Sequence, residues 1–222
     1  IQDAGGPKLA VPLTHVLPPQ IDGSPANASY YAYDPAKAKS MLAAAGASHL
    51  TLKFLYRPSS STSVAMFQDI QNQLQKVGVT VKGVTASPQD FYVKYLEKPS
   101  AARSGAWDVS LAGWGPDWYG NAALSFFTPL FDGKILPPLS SNFGLFNDPA
   151  VTTLINTAST ATSLAQSNPD WAKADNQVME DAAIYPIDDP NGALVHAAQV
   201  HNDIYIPALQ NFDFTNVWLS GS

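Results

Sequence analysis

The 222 residues suffice for one large domain or two small ones, and 45% hydrophobic content with 11% aromatics supplies a sizeable core. A net charge of −6, without any run of Lys or Arg, excludes nucleic acid as a partner, because phosphate recognition needs clustered cations. With no cysteine and no apolar run near the roughly 18 residues of a membrane span, the sequence holds no disulfide framework, thiolate metal site or spanning helix. Charged residues make up only 14%, and Ser, Thr, Asn, Gln and Ala fill the deficit, a neutral polar surface often met in secreted bacterial proteins. The opening residues 1–7, without Met and turning at once at Gly5-Gly6-Pro7, are those expected of a piece of a longer protein. The closing Ser220-Gly221-Ser222 reads as a linker remnant.

Residues 1–32 are rich in Pro and Gly and are expected to run extended or looped, since Pro18-Pro19 removes donors and disfavours helix before it. The first helix starts at Asp34-Pro35, where Asp caps the orphan N–H groups and Pro is tolerated in the first turn. Ala38, Met41, Leu42 and Ala45 recur at helical spacing before Gly46 stops the run. Residues 50–56 read as a strand with Leu50, Leu52 and Phe54 on one face. Val64, Phe67, Ile70, Leu74 and Val77 mark a second helix from 61 to 77, stopped by Gly78.

A second strand is expected over 79–84, a third helix from Ser87-Pro88 to Leu96, and a third strand over 107–112. Alternating strands and helices with short links predict βαβ units on a largely parallel sheet. The second half reads as more helical: a short helix or turn over 126–131, a helix from Asp148-Pro149 to Ala158, and one from Asn168-Pro169 to Ala183. Pro186 and Pro190 break the pattern, and residues 193–200 read as a strand. The fold class is α/β, a mixed and mostly parallel sheet flanked by helices.

Catalytic and metal-binding patterns are missing. His15, His49, His196 and His201 are dispersed without metal-ligand spacing, and surface or loop positions account for them. No Gly-x-Ser-x-Gly elbow, Walker loop or dinucleotide fingerprint occurs. No catalytic residue, metal or cofactor is assigned.

The segment Gly113-Trp114-Gly115-Pro116-Asp117-Trp118-Tyr119-Gly120 stands apart. It follows a predicted buried strand, and open α/β sheets bind ligands in loops beyond the carboxyl ends of strands. Its aromatics offer flat apolar walls, and Asp117 offers a fixed charge for a cationic group. The same pattern fits Trp114 and Trp118 as core anchors with Asp117 capping the next helix, and pattern alone slightly favours that second reading.

Four segments in order resemble the family 5 extracellular solute-binding proteins, the dipeptide- and oligopeptide-binding components of bacterial ABC importers. They are Tyr33-Asp34-Pro35-x-x-Ala38-x-x-x-Leu42-x-x-Ala45-Gly46, then Ile70-x-x-x-Leu74-x-x-Val77-Gly78-Val79-x-Val81, then Gly113-Trp114-x-x-Asp117, then Phe146-Asn147-Asp148-Pro149. The resemblance runs from about Pro18 to Trp218. It implies the C-terminal lobe of a class II periplasmic-binding-protein fold: an extended leading segment over 1–32, the ligand-binding lobe over 33–201, and a segment over 202–222 returning toward an N-terminal lobe.

The family likeness also implies function. A small solute, a short peptide foremost, would be captured for a membrane ABC permease by a monomeric binding protein. The location would be extracellular or periplasmic, with a lipid anchor to the cytoplasmic membrane carried outside this sequence. By the family's pattern, Asp117 would pair with the ligand's α-ammonium, and Arg57, before Pro58, would hold its carboxylate through a planar bidentate fork. Arg57 as a solvated loop residue carries similar weight. Lobe closure would desolvate both groups against opposite ends of the ligand. Gly115, Trp114, Trp118 and Tyr119 complete the expected site. Trp118 stands where many members have Tyr, and Pro116 stiffens the loop, which leaves ligand class open. An oligosaccharide stacked on the aromatics is the alternative ligand, and an α/β hydrolase the alternative class.

Overall fold

A computed structural model describes residues 1–26, 30–192, 194–206 and 209–221. The chain forms two compact units, one of Tyr31–Gly113 with Gly133–Phe146, the other of Ile1–Tyr30, Trp114–Asp132 and Asn147–Ser222.

The first unit is built from βαβ units. Helix α1 spans Pro35–Ala44, capped by the Asp34 carboxylate, which accepts the Lys37 N–H. Strand β2 (Thr51–Tyr56), helix α2 (Ser61–Lys76) and strand β3 (Thr80–Thr85) follow, and β1 (Ala10–Pro12) belongs to the other unit. Strand β4 is only Val109–Ser110. All pairings in this sheet are parallel, in the order β3-β2-β4, with Phe54 opposite Val109. The expected third strand over 107–112 is thus mostly irregular. Its start is still tied to β2, because Asp108 donates its N–H to the Lys53 carbonyl and its carboxylate accepts the Lys53 N–H at 2.7 Å.

Phe54 and Leu55, the buried pair of β2, face opposite sides of the sheet, each into its own cluster. Phe54 joins Phe67, Val77, Val79 and Val81 on one side, where α1 and α2 add Ala38, Leu42, Ile70 and Leu74. Leu55 points the other way, into Ala86, Phe91, Leu96 and Trp107. Between β3 and β4 the expected single helix is composite. A short turn α3 (Pro88–Asp90) leads into a π-helical stretch over Phe91–Leu96, closed by the Glu97 N–H on the Tyr92 carbonyl, and α4 (Pro99–Arg103) follows. Wider π winding brings residues five apart onto one face, which lets Phe91 and Leu96 enter the same cluster.

Gly78 ends α2 with φ near +92°, and a Cβ there would meet the Ser48 carbonyl oxygen at 2.9 Å. Both conformation and space demand glycine. Gly78→Ala is expected to cost on the order of 1–3 kcal/mol, read as a lower urea midpoint at unchanged m.

The second unit carries α5 (Leu124–Phe131), α6 (Pro149–Thr160) and α7 (Leu164–Glu180). Among the described residues it also holds three antiparallel strand pairs: β1 with β5 (Asp188–Pro190), β6 (Val200–His201) with β9 (Trp218–Leu219), and β7 (Ile204–Ile206) with β8 (Asn211–Asp213). Helix α7 begins a turn before the expected Asn168-Pro169 cap and contains Pro169. Its start is held by Gln166, whose side-chain oxygen accepts from the Thr162 N–H and hydroxyl. The strand expected over 193–200 forms only from Val200, and Ala193 lies outside the described residues. His15 is buried rather than at the surface, edge-on to Tyr30.

Candidate functional site

The loop after β4 is anchored by two polar residues that sequence reasoning missed. Ser125, fully buried in the first turn of α5, donates its hydroxyl to the Ala122 carbonyl at 2.8 Å and accepts the Asp117 N–H at 3.2 Å. Its backbone carbonyl accepts the Trp114 indole N–H at 2.8 Å. Asn121 plays the matching part for the other half. Its carbonyl accepts the Trp118 indole N–H at 3.1 Å, and its side-chain oxygen accepts the indole N–H of buried Trp171 at 2.8 Å. The loop is therefore fixed at both ends through its own backbone and indole N–H groups.

What the loop leaves exposed is indole carbon, a tyrosine and one charge. Trp114 and Trp118 are 41% and 42% exposed and Tyr119 is 67% exposed, so none is a core anchor. Asp117 is exposed, and no ion pair among the described residues involves it. The N-cap of α5 is Ala123, so Asp117 does not cap the following helix. Both structural alternatives raised by the pattern are removed, and a free carboxylate among exposed rings remains. Gly115 carries no side chain into this surface, and a Cβ there would meet nothing within 4 Å, so sterics alone do not require glycine.

Arg57 falls in the other compact unit, one residue beyond the carboxyl end of β2. That end of a parallel sheet is where α/β folds set their ligand loops. The residue is not a fully solvated one: it is half-buried, its guanidinium carbon 4.9 Å from the centroid of the buried Phe91 ring. Cation–π stacking holds the planar group while leaving its in-plane N–H donors free for an acceptor. No carboxylate among the described residues pairs with it.

Among the described residues no group of three or more His, Cys, Asp or Glu side chains could hold a metal ion. No described helix is long and apolar enough to cross a membrane.

Open α/β sheets bind ligands at loops beyond the carboxyl ends of their strands, and the 113–120 loop follows β4 in sequence. Residues 1–134 match the family model for bacterial extracellular solute-binding proteins, family 5 (middle), and the chain belongs to that family. No curated protein sequence matches it. Among solved structures it is similar to the clavulanic acid biosynthesis oligopeptide-binding protein 2, at 20% identity and TM-score 0.85 over 99% of this chain and 41% of that one. It is similar to the ABC transporter-associated periplasmic binding protein DppA from Helicobacter pylori in complex with peptide STSA, at 22% identity and TM-score 0.73, covering 96% and 40%. A third likeness is to MoaA from A. tumefacien R10 in complex with mannopinic acid, at 20% identity and TM-score 0.69, covering 86% and 37%. These likenesses show a periplasmic-binding-protein fold, and the chain spans between 37% and 41% of the length of those structures.

Proposed function

We propose that the chain captures a short peptide for uptake by a membrane ABC permease, acting extracellularly or in the periplasm as a monomeric binding protein rather than as an enzyme. The observation that carries this reading is the Asp117 carboxylate, exposed and without an ion pair among the described residues, held on a loop pinned by Ser125 and Asn121. A free, preorganised carboxylate is suited to an α-ammonium group, and fixing it in advance lowers the ordering cost of binding. Arg57, stacked on Phe91, offers a planar fork for a ligand carboxylate. Capture of a peptide is supported by the bound peptide in the DppA relative, although the mannopinic acid complex shows that the same fold also holds other solutes.

Calorimetry with short peptides tests the assignment. Asp117→Ala is expected to weaken binding by about 10- to 100-fold, the equivalent of one charge-assisted hydrogen bond. Unchanged affinity would show that Asp117 does not pair with the ammonium. Arg57→Ala is expected to weaken peptides with a free carboxyl terminus much more than their C-terminal amides. Saturable quenching of tryptophan fluorescence by sugars but not by peptides would instead favour an oligosaccharide ligand.

A further inference from the structure

We infer that the 113–120 loop selects its ligand by apolar contact and favours peptides whose first residue is bulky and apolar or aromatic. The inference rests on the peptide reading above and deepens it. Its basis is where the two indole N–H groups go. Trp114 donates to the Ser125 carbonyl at 2.8 Å and Trp118 to the Asn121 carbonyl at 3.1 Å, so neither N–H is available to a ligand. An indole has no other hydrogen-bonding group. The exposed parts of both rings are therefore carbon, and Tyr119 adds a third exposed ring in the same loop.

Asp117 stands between the two tryptophans in sequence, with its own N–H bound to Ser125 and its side chain exposed. A ligand ammonium paired to that carboxylate would bring the group attached to the same carbon, the first side chain, to the loop that carries the rings. An apolar or aromatic side chain there gains contact and loses water, whereas a small polar one would surrender hydrogen bonds to water with nothing in the two indole rings to replace them. The loop is already fixed by Ser125 and Asn121, so this contact is made without ordering the loop first.

The test compares Phe-Ala-Ala, Leu-Ala-Ala, Ser-Ala-Ala and N-acetyl-Phe-Ala-Ala by calorimetry on the full-length protein. Phe and Leu at the first position are expected to bind about 10-fold or more tighter than Ser, the worth of burying such a side chain. Trp118→Ala and Trp114→Ala are expected to shrink that ratio. Trp118→Phe is expected to retain most of it, because a ring face survives although the N–H is gone. The Phe variant also keeps a ring in place where the Ala variant loosens the loop. Equal affinities for the Phe and Ser peptides overturn this inference and leave the peptide reading standing. Loss of the ratio in a folded Trp118→Phe, judged by an unchanged urea midpoint, overturns the apolar-face argument. Tight binding of the acetylated peptide overturns the ammonium pairing on which the geometry depends. No binding by any peptide overturns the peptide reading and this inference with it.

Discussion

Trp171→Ala is expected to cost the α5–α7 unit about 3–5 kcal/mol, the range for emptying a buried aromatic site. Trp171 is fully buried and stacks on Phe127 with ring centroids 5.5 Å apart and planes within 13°. Space for it depends on Gly23, whose φ of +88° and whose absent Cβ, which would stand 2.8 Å from the Trp171 Cβ, leave no alternative residue there. The indole also donates its N–H to the Asn121 side chain, so its loss orphans the acceptor on the residue that anchors Trp118. Two effects are thus superposed, and Trp171→Phe separates them. The Phe variant keeps most of the stacking and should lose roughly 1 kcal/mol for the hydrogen bond. If Asn121 is what transmits order from the core to the loop, Trp171→Phe will also weaken peptide binding. Unchanged affinity with a lowered unfolding midpoint would confine Trp171 to core packing.

This dependence of the loop on Asn121 and Ser125 marks the limit of what the sequence makes legible. The βαβ core is legible because its signals are local. Asp34-Pro35 and Gly78 punctuate helices by chain geometry alone, and Phe67, Ile70 and Leu74 keep helical spacing against a strand of fixed period. The π-helical stretch over Phe91–Leu96 is not, since α and π winding share the same residue preferences and only the tertiary cluster selects between them. Strand pairs of two or three residues, such as β6 with β9, are too short to show a period. Helix α7 passes through Pro169 because Gln166 secures its start from within the helix, a contact that a cap search centred on Asn168-Pro169 overlooks.

The candidate site divides in the same way. Its aromatics and Asp117 are visible as composition within one loop. Their exposure and the satisfaction of both indole N–H groups depend on carbonyls supplied by residues 121 and 125, which the sequence presents as ordinary polar positions. Arg57 illustrates the longer range. Its fixation by Phe91 joins the end of β2 to the helical crossover after β3, and no spacing rule links them.

Stability of the α7-bearing unit is expected to rise, not fall, as pH is lowered from 7 to about 4, through Asp175. This carboxylate has no exposure and accepts the backbone N–H groups of Val16 and Leu17 at 3.0 and 2.9 Å, tying the leading segment to α7. Burial pushes its pKa up to about 6 and outweighs the two N–H donors, which pull it down. The folded protein therefore holds a proton on Asp175 up to about pH 6, while the unfolded chain releases it near pH 4. Between those values the folded state binds more protons, so the slope of unfolding free energy against pH is negative, and the group contributes on the order of 3 kcal/mol across the window. Above pH 6 its contribution is flat. Buried His15 acts in the opposite sense: desolvation lowers its pKa more than its hydrogen bond to Asn176 raises it, so acidification through the unfolded His value favours the unfolded chain. The difference between the parent and Asp175→Asn isolates the Asp term from the His term. Asparagine does not titrate, so the variant lacks the stability that the parent gains on acidification and should be less stable than the parent at pH 4 by more than it is at pH 7. Urea titrations at half-unit pH intervals from 4 to 7 measure both curves. Parallel curves would mean that Asp175 ionises alike in the folded and unfolded chains, its two hydrogen bonds offsetting its burial.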